Sequence, residues 1–376
     1  MKARVFLARS RSLALASLFF ALAACQVLPP EHLIVSAAGR VSADSPSKAQ
    51  EVALLLERLE PAVVAQLPEA RSRSLAVWVQ ETPALYRYSQ RAYQDADGFY
   101  SDAEDRIHLR EAADSLERTL AHELVHAHLR GAWRELPGTL EEGLCDHVSG
   151  ELCPEARARL RAGRLSCAGF ALGGLDLELT VRVPGELHPS GADVQLQARL
   201  RLEGEPPMEV DPLGVFRRQA GLSSSRLSSS AKKAYYGLAY LVVERIVAHV
   251  GIEGLHALCR ASRANENGRV PTDDLLAAAG LTPAHESWRA ALVAEYEADD
   301  LRELVRMHPE FLVRSLDEFF APSLAPDELL VALPELHAEL ALAGGGAPLD
   351  LFSVPEIRER LTGIWIARSP GALAHR

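Results

Sequence analysis

Apolar positions recur along this chain with two different periods. From Lys48 to Leu67 the spacing is helical, and Val52, Leu55, Leu56, Leu59 and Val63 fall on one stripe. Ser74 to Gln80 alternates instead, with Val77, Trp78 and Val79 in its centre, and predicts a strand. His32 to Ser36 and Arg106 to Arg110 predict two more short strands, the second with Ile107 and Leu109 pointing one way. Asp95-Ala96-Asp97-Gly98 predicts a turn between them. Helical spacing then returns. Leu116, Leu120, Leu124 and Ala127 share a face, Asp114 and Glu117 form a capping pair at the start, and Gly131 closes the helix. Further helices are predicted from Leu140 to about Gly150 and over 154–164.

The period changes to two beyond that point. Leu175, Leu177, Leu179, Val181 and Val183 alternate with polar residues, as do Val194, Leu196, Ala198, Leu200 and Leu202. Asp176 and Glu178 on the first run complement Arg199 and Arg201 on the second, which predicts an antiparallel hairpin turning between Pro184 and Asp193. Ser223 to Ser230 reads as a flexible link. Lys232 to Ser262 is a long apolar helix interrupted at Gly251, and Asp273 to Glu297 is helical around Trp288. From Asp299 the pattern predicts short amphipathic helices separated by Pro and by Gly344-Gly345-Gly346. Strands followed by helices, with one inserted hairpin, imply an α+β fold with a mostly helical second half.

Composition narrows the function. Hydrophobic residues make up 48% and charged residues 24% of the 376, the range of an ordinary folded protein. A formal charge of −11 and the lack of a basic run exclude nucleic acid as a partner. Leu13 to Ala24 is too short to span a bilayer, and it follows Lys2, Arg4, Arg9 and Arg11, so it reads as the core of an export signal. Its end, Leu22-Ala23-Ala24-Cys25, resembles a bacterial lipobox, which implies acylation at Cys25 and anchoring in the cell envelope. Gln26 resembles the sorting pattern for the outer membrane, facing the periplasm or cell surface. Export would also place Cys145, Cys153, Cys167 and Cys259 where thiols oxidise, and the crowding of the first three predicts at least one local bridge. No CxxC pair points those cysteines towards zinc.

The chemistry sits in His122-Glu123-Leu124-Val125-His126. One helical step from His122 to His126 turns about 400°, so both imidazoles leave the same face one turn apart. That spacing suits two nitrogens on one zinc ion, with Glu123 beside the first ligand to take a proton from the attacking water. His128 turns away from that face. A third ligand is expected downstream, where Glu141 and Glu142 both offer a carboxylate.

An HExxH helix followed by a helix containing Glu-Gly resembles the gluzincin metallopeptidases, the group of thermolysin and the zinc aminopeptidases. Closer still, Leu136-Pro137-Gly138-Thr139-Leu140-Glu141-Glu142-Gly143-Leu144-Cys145-Asp146 resembles the "lPxWlxEGlAe" segment of the bacterial peptidase MA-like family. The resemblance implies that Glu142 is the carboxylate ligand and that Asp146 orients a ligand histidine. Thr139, Cys145 and His147 depart from that pattern, where the family has Trp, Ala and often Tyr. Leu129 and Ala132 stand where a metzincin would have Gly and its third His. Asp97-Gly98-Phe99-Tyr100 with Arg106-Ile107-His108-Leu109 is similar to the family's lead-in, Tyr236 to Val242 to its later helix, and Leu275 to Trp288 to its closing segment. Gluzincins polarise the developing oxyanion with a Tyr or His from that later helix, which implies Tyr236, with Tyr235 and Tyr240 behind it.

The expected organisation is a lipoprotein signal (1–24), a zincin-like subdomain with a small mixed sheet over the HExxH helix (25–165), a hairpin and link (166–230), a helical catalytic subdomain (231–298) and a helical extension (299–376). The expected function is zinc-dependent hydrolysis of peptide bonds in a peptide or protein substrate, by an envelope-anchored protein using one zinc ion. The lack of an exopeptidase signature points to an endopeptidase. The alternative is a catalytically silent docking lipoprotein of the same fold.

Overall fold

A computed structural model describes residues 30–80, 97–129, 131–183, 194–202, 210–217, 227–265, 268–307, 337–342, 349, 350 and 359. The export signal, Cys25, the bend at 184–193, Gly344–Gly346 and most of the segment after 307 lie outside the described residues. The chain divides into two compact units. One comprises Met1–Glu57 with Arg73–Leu116, the other Arg58–Ser72 with Glu117–Arg376. The HExxH helix, from Glu117 onward, belongs to the second unit.

The first unit is built on a five-stranded mixed sheet. Strands β1 (His32–Val35) and β2 (Gly39–Ala43) form an antiparallel hairpin, and helix α1 (Pro46–Gln66) crosses over to β3 (Leu75–Gln80), parallel to β2. Parallel neighbours require such a crossover, which α1 supplies. Strands β4 (Gly98–Ser101) and β5 (Arg106–Arg110) complete the order β1-β2-β3-β5-β4, with β5 parallel to β3 and β4 antiparallel at the edge. Alternation decides which side is core, since Val77, Val79, Ile107 and Leu109 are at most 1% exposed. The opposite face is aromatic. His108 stacks on Phe99 at 4.6 Å, and Arg106 lies 3.6 Å above the Trp78 ring. β2 went unpredicted because its five residues carry only one large apolar side chain, Val41.

The second unit is mainly helical. Helices α2 (Leu116–His128), α3 (Leu140–Leu152), α4 (Pro154–Ala171), α5 (Ser229–Ala261), α6 (Thr272–Ala278), α7 (His285–Glu295) and α8 (Ala298–Met307) bring the total to eight among the described residues. Helix α2 opens two residues after the expected cap Asp114, within the usual scatter of helix ends. The run expected as one helix from Asp273 to Glu297 is two. Gly280 takes φ +63°, and the Leu281 N–H reaches back to the Leu276 carbonyl at 2.8 Å, which terminates α6 as a left-handed cap. Gly251, with φ +73°, interrupts α5 as its sequence predicts.

Strands β6 (Leu175–Val183) and β7 (Val194–Leu202) pair as the alternation predicts, with Asp176 in register with Arg201 and Glu178 with Arg199. The region after 299 is not wholly helical. Strand β8 (His337–Leu342) runs antiparallel along the other edge of β6, and β9 (Leu349–Asp350) pairs with β8, giving a sheet ordered β7-β6-β8-β9. A lone hairpin is marginal in water, and a third strand from far along the chain relieves that. The six residues of β8 are too short an alternating run to be told from a helix segment by periodicity alone. No helix among the described residues is long and apolar enough to cross a membrane.

Two glycines let the helices approach backbone to backbone. A Cβ on Gly143 of α3 would stand 2.4 Å from the Ala239 carbonyl oxygen of α5, and one on Gly237 of α5 would stand 2.4 Å from the Arg164 carbonyl oxygen of α4. Helix α5 is thus clamped between its two neighbours. Gly143→Ala should lower stability by about 1–3 kcal/mol, the usual range for forced overpacking. An unchanged urea midpoint in the Gly143→Ala protein would show that α3 and α5 can part without cost.

Candidate metal centre

The centre forms where α2 and α3 face each other, with α4 and α5 behind. On α2, His122 and His126 lie one turn apart with ring centroids 5.0 Å from each other. On α3, Glu142 is buried, and its Oε2 stands 3.4 Å from His122 Nε2 and 3.3 Å from His126 Nε2. A charge-assisted hydrogen bond between these groups would be about 2.7–2.9 Å. Two donors on one tetrahedral ion with bonds of about 2.0–2.1 Å stand about 3.3 Å apart. The observed spacing fits the second case, so these three residues suit a divalent metal.

The remaining imidazole nitrogens are held from outside. His122 Nδ1 lies 3.1 Å from Asp146 Oδ1, and His126 Nδ1 lies 2.7 Å from Glu141 Oε1. Of the two glutamates offered by the sequence, Glu142 faces the Nε2 pair and Glu141 takes the far side of His126. Asp146 is fully buried and is itself gripped by Arg164 of α4, whose Nε donates to Oδ2 at 2.6 Å. Such outer carboxylates fix the ring orientation and the tautomer of a ligand histidine.

The electrostatics follow from that packing. Burial alone would push the Asp146 carboxyl up, but the Arg164 guanidinium and His122 outweigh it and hold the carboxyl at about 2. Burial is likewise outweighed at Glu142, which His126 and His122 hold well below the usual carboxylate range. At His122, burial disfavours the imidazolium, yet Asp146 and Glu142 raise its pKa above 6.5. At His126, burial is overcome by Cys145, Glu142 and Glu141, and the pKa is raised well above the ordinary value.

Glu123 is 5% exposed and lies near enough to His122 for its charge to act on that imidazole. Tyr236 of α5 is half-buried. The Glu142 charge, more than burial, pushes its hydroxyl pKa well up, and the Arg164 guanidinium sits 5.0 Å from its ring centre. The other two tyrosines point elsewhere. The Tyr235 hydroxyl accepts from the Asp211 N–H, and that of Tyr240 accepts from Arg161. His128 faces Glu60 at 3.5 Å, away from the pair. Cys25 lies outside the described residues.

Thr139 and His147 are each held by contacts of their own. Thr139 is buried at the start of α3, where its backbone N–H and hydroxyl both donate to the Val215 carbonyl, at 2.9 and 3.3 Å. His147 pairs with Glu244 of α5, which also pairs with Arg161 of α4, and Arg161 in turn donates to Asp300 of α8 at 3.1 Å.

The cysteines overturn the expected bridge. Cys145, Cys153, Cys167 and Cys259 are all free. The first is aimed at His126, the second lies 3.7 Å from Glu117 at the end of α3, and the third sits on α4, so crowding in sequence does not become crowding in space. Sequence reasoning also set Cys145 aside as a ligand. Its sulfur and one nitrogen each of His122 and His126 lie within 4.8 Å of one another. The signal was present in its position three residues after Glu142, on the same side of α3. Arg164, eighteen residues from Asp146, carried no such signal.

No protein-family model matches the chain, and no curated protein or solved structure is significantly similar to it. The functional reading therefore rests on the residues and their geometry.

The pKa shifts set a pH dependence for the metal-free protein. Groups with raised pKa, His122 and His126, stabilise the fold fully below their unfolded value near 6.5, and that contribution is lost as pH rises through their higher folded values. Asp146 and Glu142, held low, contribute above their unfolded values and lose this only as pH falls towards about 2. The Tm of chelator-treated protein should therefore fall as pH rises above about 6.5, and Asp146→Asn should flatten the fall. A wild-type profile that stays level above about pH 6.5 would contradict the raised imidazoles.

Proposed function

We propose that the protein is a zinc-dependent peptidase of the gluzincin type, closest to the peptidase MA-like family, with a zincin-like core. The observation that carries this reading is the convergence of His122 Nε2 and His126 Nε2 on Glu142 Oε2 at 3.4 and 3.3 Å, with Glu123 buried beside His122. Two imidazoles and a carboxylate are the donor set of a hydrolytic zinc site, which leaves a fourth position for substrate chemistry.

Zinc held by His122, His126 and Glu142 would supply Lewis acidity, lowering the pKa of water and polarising a carbonyl. The protein's own groups do the rest. Glu123 accepts the proton of the attacking water on its carboxylate and passes it to the leaving amine. Asp146 Oδ1 stands 3.1 Å from His122 Nδ1 and Glu141 accepts from His126 Nδ1–H, so both Nε2 lone pairs face inward. Arg164 keeps Asp146 ionised throughout. Tyr236 stays protonated at neutral pH because its pKa is raised, and so remains a donor for the developing oxyanion.

The substrate is a peptide or protein, cleaved internally. The lipobox-like Leu22-Ala23-Ala24-Cys25 supports anchoring by lipid in the bacterial envelope.

Metal analysis of protein purified without a His-tag should find one zinc per chain, and a peptide-library digest should find cleavage within chains. Glu123→Gln should keep the zinc and lose about 10²–10⁴-fold in turnover, the range of general-base catalysis. Retained activity in that variant would refute the role of Glu123, and wild-type protein that binds zinc without cleaving any peptide would favour a silent docking role. Asp146→Asn should weaken zinc binding about 10–100-fold in competition with a chelator.

A further inference from the structure

One donor in the cluster has no part in the chemistry above. Cys145 lies on α3 three residues after Glu142, about 60° short of a full turn, and so projects from the same side of the helix. It is fully buried. Its sulfur lies within 4.8 Å of ligand nitrogens from both His122 and His126. The other three cysteines have separate surroundings, against Glu117, on α4 beside Arg164, and near Glu135.

We propose that Cys145 Sγ is a fourth protein ligand, so that two histidines, one glutamate and one cysteine surround the ion. This rests on reading His122, His126 and Glu142 as metal ligands. Geometry allows it, because in a tetrahedral site a sulfur at about 2.3 Å and a nitrogen at about 2.0–2.1 Å from the metal stand well under 4.8 Å apart. On binding, the S–H bond breaks, its proton leaves to buffer and the sulfur's electron pair goes to the metal, with no change of oxidation state.

Two properties follow. The site prefers thiophilic ions over magnesium or manganese, since sulfur is a soft donor. Four protein donors would also fill the tetrahedron, so the resting centre is closed and the water of the proposed hydrolysis would enter as a fifth ligand.

Cobalt(II) distinguishes these arrangements by colour. The full chain, kept reduced with a phosphine and stripped of metal, is titrated with one equivalent of cobalt(II) and its absorption recorded. The expected result is visible ligand-field bands together with an intense near-ultraviolet sulfur-to-cobalt charge-transfer band. Cys145→Ser and Cys145→Ala should each lose the near-ultraviolet band to the level of metal-free protein and keep the visible bands. Cys153→Ser, Cys167→Ser and Cys259→Ser should retain both. Visible bands without charge transfer in the wild type would overturn Cys145 as a ligand and leave the three-ligand reading standing. A near-ultraviolet band that survives both Cys145 changes would overturn the proposal in the same way. A wild type that shows no cobalt bands at all would overturn the metal centre itself.

Discussion

Helices α3 and α5 meet backbone to backbone at Gly143, and the centre depends on that meeting. Any side chain there would collide with the Ala239 carbonyl and the Tyr240 amide, neither of which can rotate out of the way. With α5 drawn in, Tyr236 comes within electrostatic reach of Glu142, and Glu244 comes within reach of His147. Gly237 repeats the device against α4, which brings Arg164 to Asp146. The glycine that follows Glu142 is thus a packing requirement imposed by the neighbouring helix. Its place next to the carboxylate couples the fit of three helices to the aim of one side chain.

Charge is arranged in layers around the two imidazoles. Glu142 and the Cys145 sulfur lie on the inner side, Asp146 and Glu141 on the outer side, and Arg164 beyond Asp146. Removing such groups from water costs several kcal/mol each unless every one is paired. Here each carboxylate meets a cationic or proton-bearing partner, and the net effect is a pocket that favours positive charge, whether protons on the rings or a divalent ion. Both compete for the same nitrogens, so binding a metal must release protons.

Much of this was legible in the sequence. The helical step from His122 to His126 and the alternation of β3, β5, β6 and β7 are direct readings of periodicity, and the residues fall where the spacing puts them. Glu142 and Glu141 could be offered but not separated from spacing alone, because which of two adjacent residues faces α2 depends on how α3 is rotated. Cys145 stood in plain view, but oxidation and CxxC spacing were the wrong tests for a thiol that meets its neighbours by helical geometry. Arg164 and β8 were beyond sequence reasoning for a different reason. Each acts on a partner far along the chain, and neither belongs to a local pattern that announces it.

Strand β6 depends most heavily on such a distant partner, because one of its two neighbours comes from far along the chain. β7 arrives within a hairpin, but β8 must return from beyond α8. Until that return is complete, a nine-residue strand presents a full row of unmatched N–H and C=O groups. During synthesis, or in a chain clipped after Met307, that row is a template for another molecule's backbone. Such a species would invite self-association by strand exchange, so the last stretch of the polypeptide also guards the rest against aggregation.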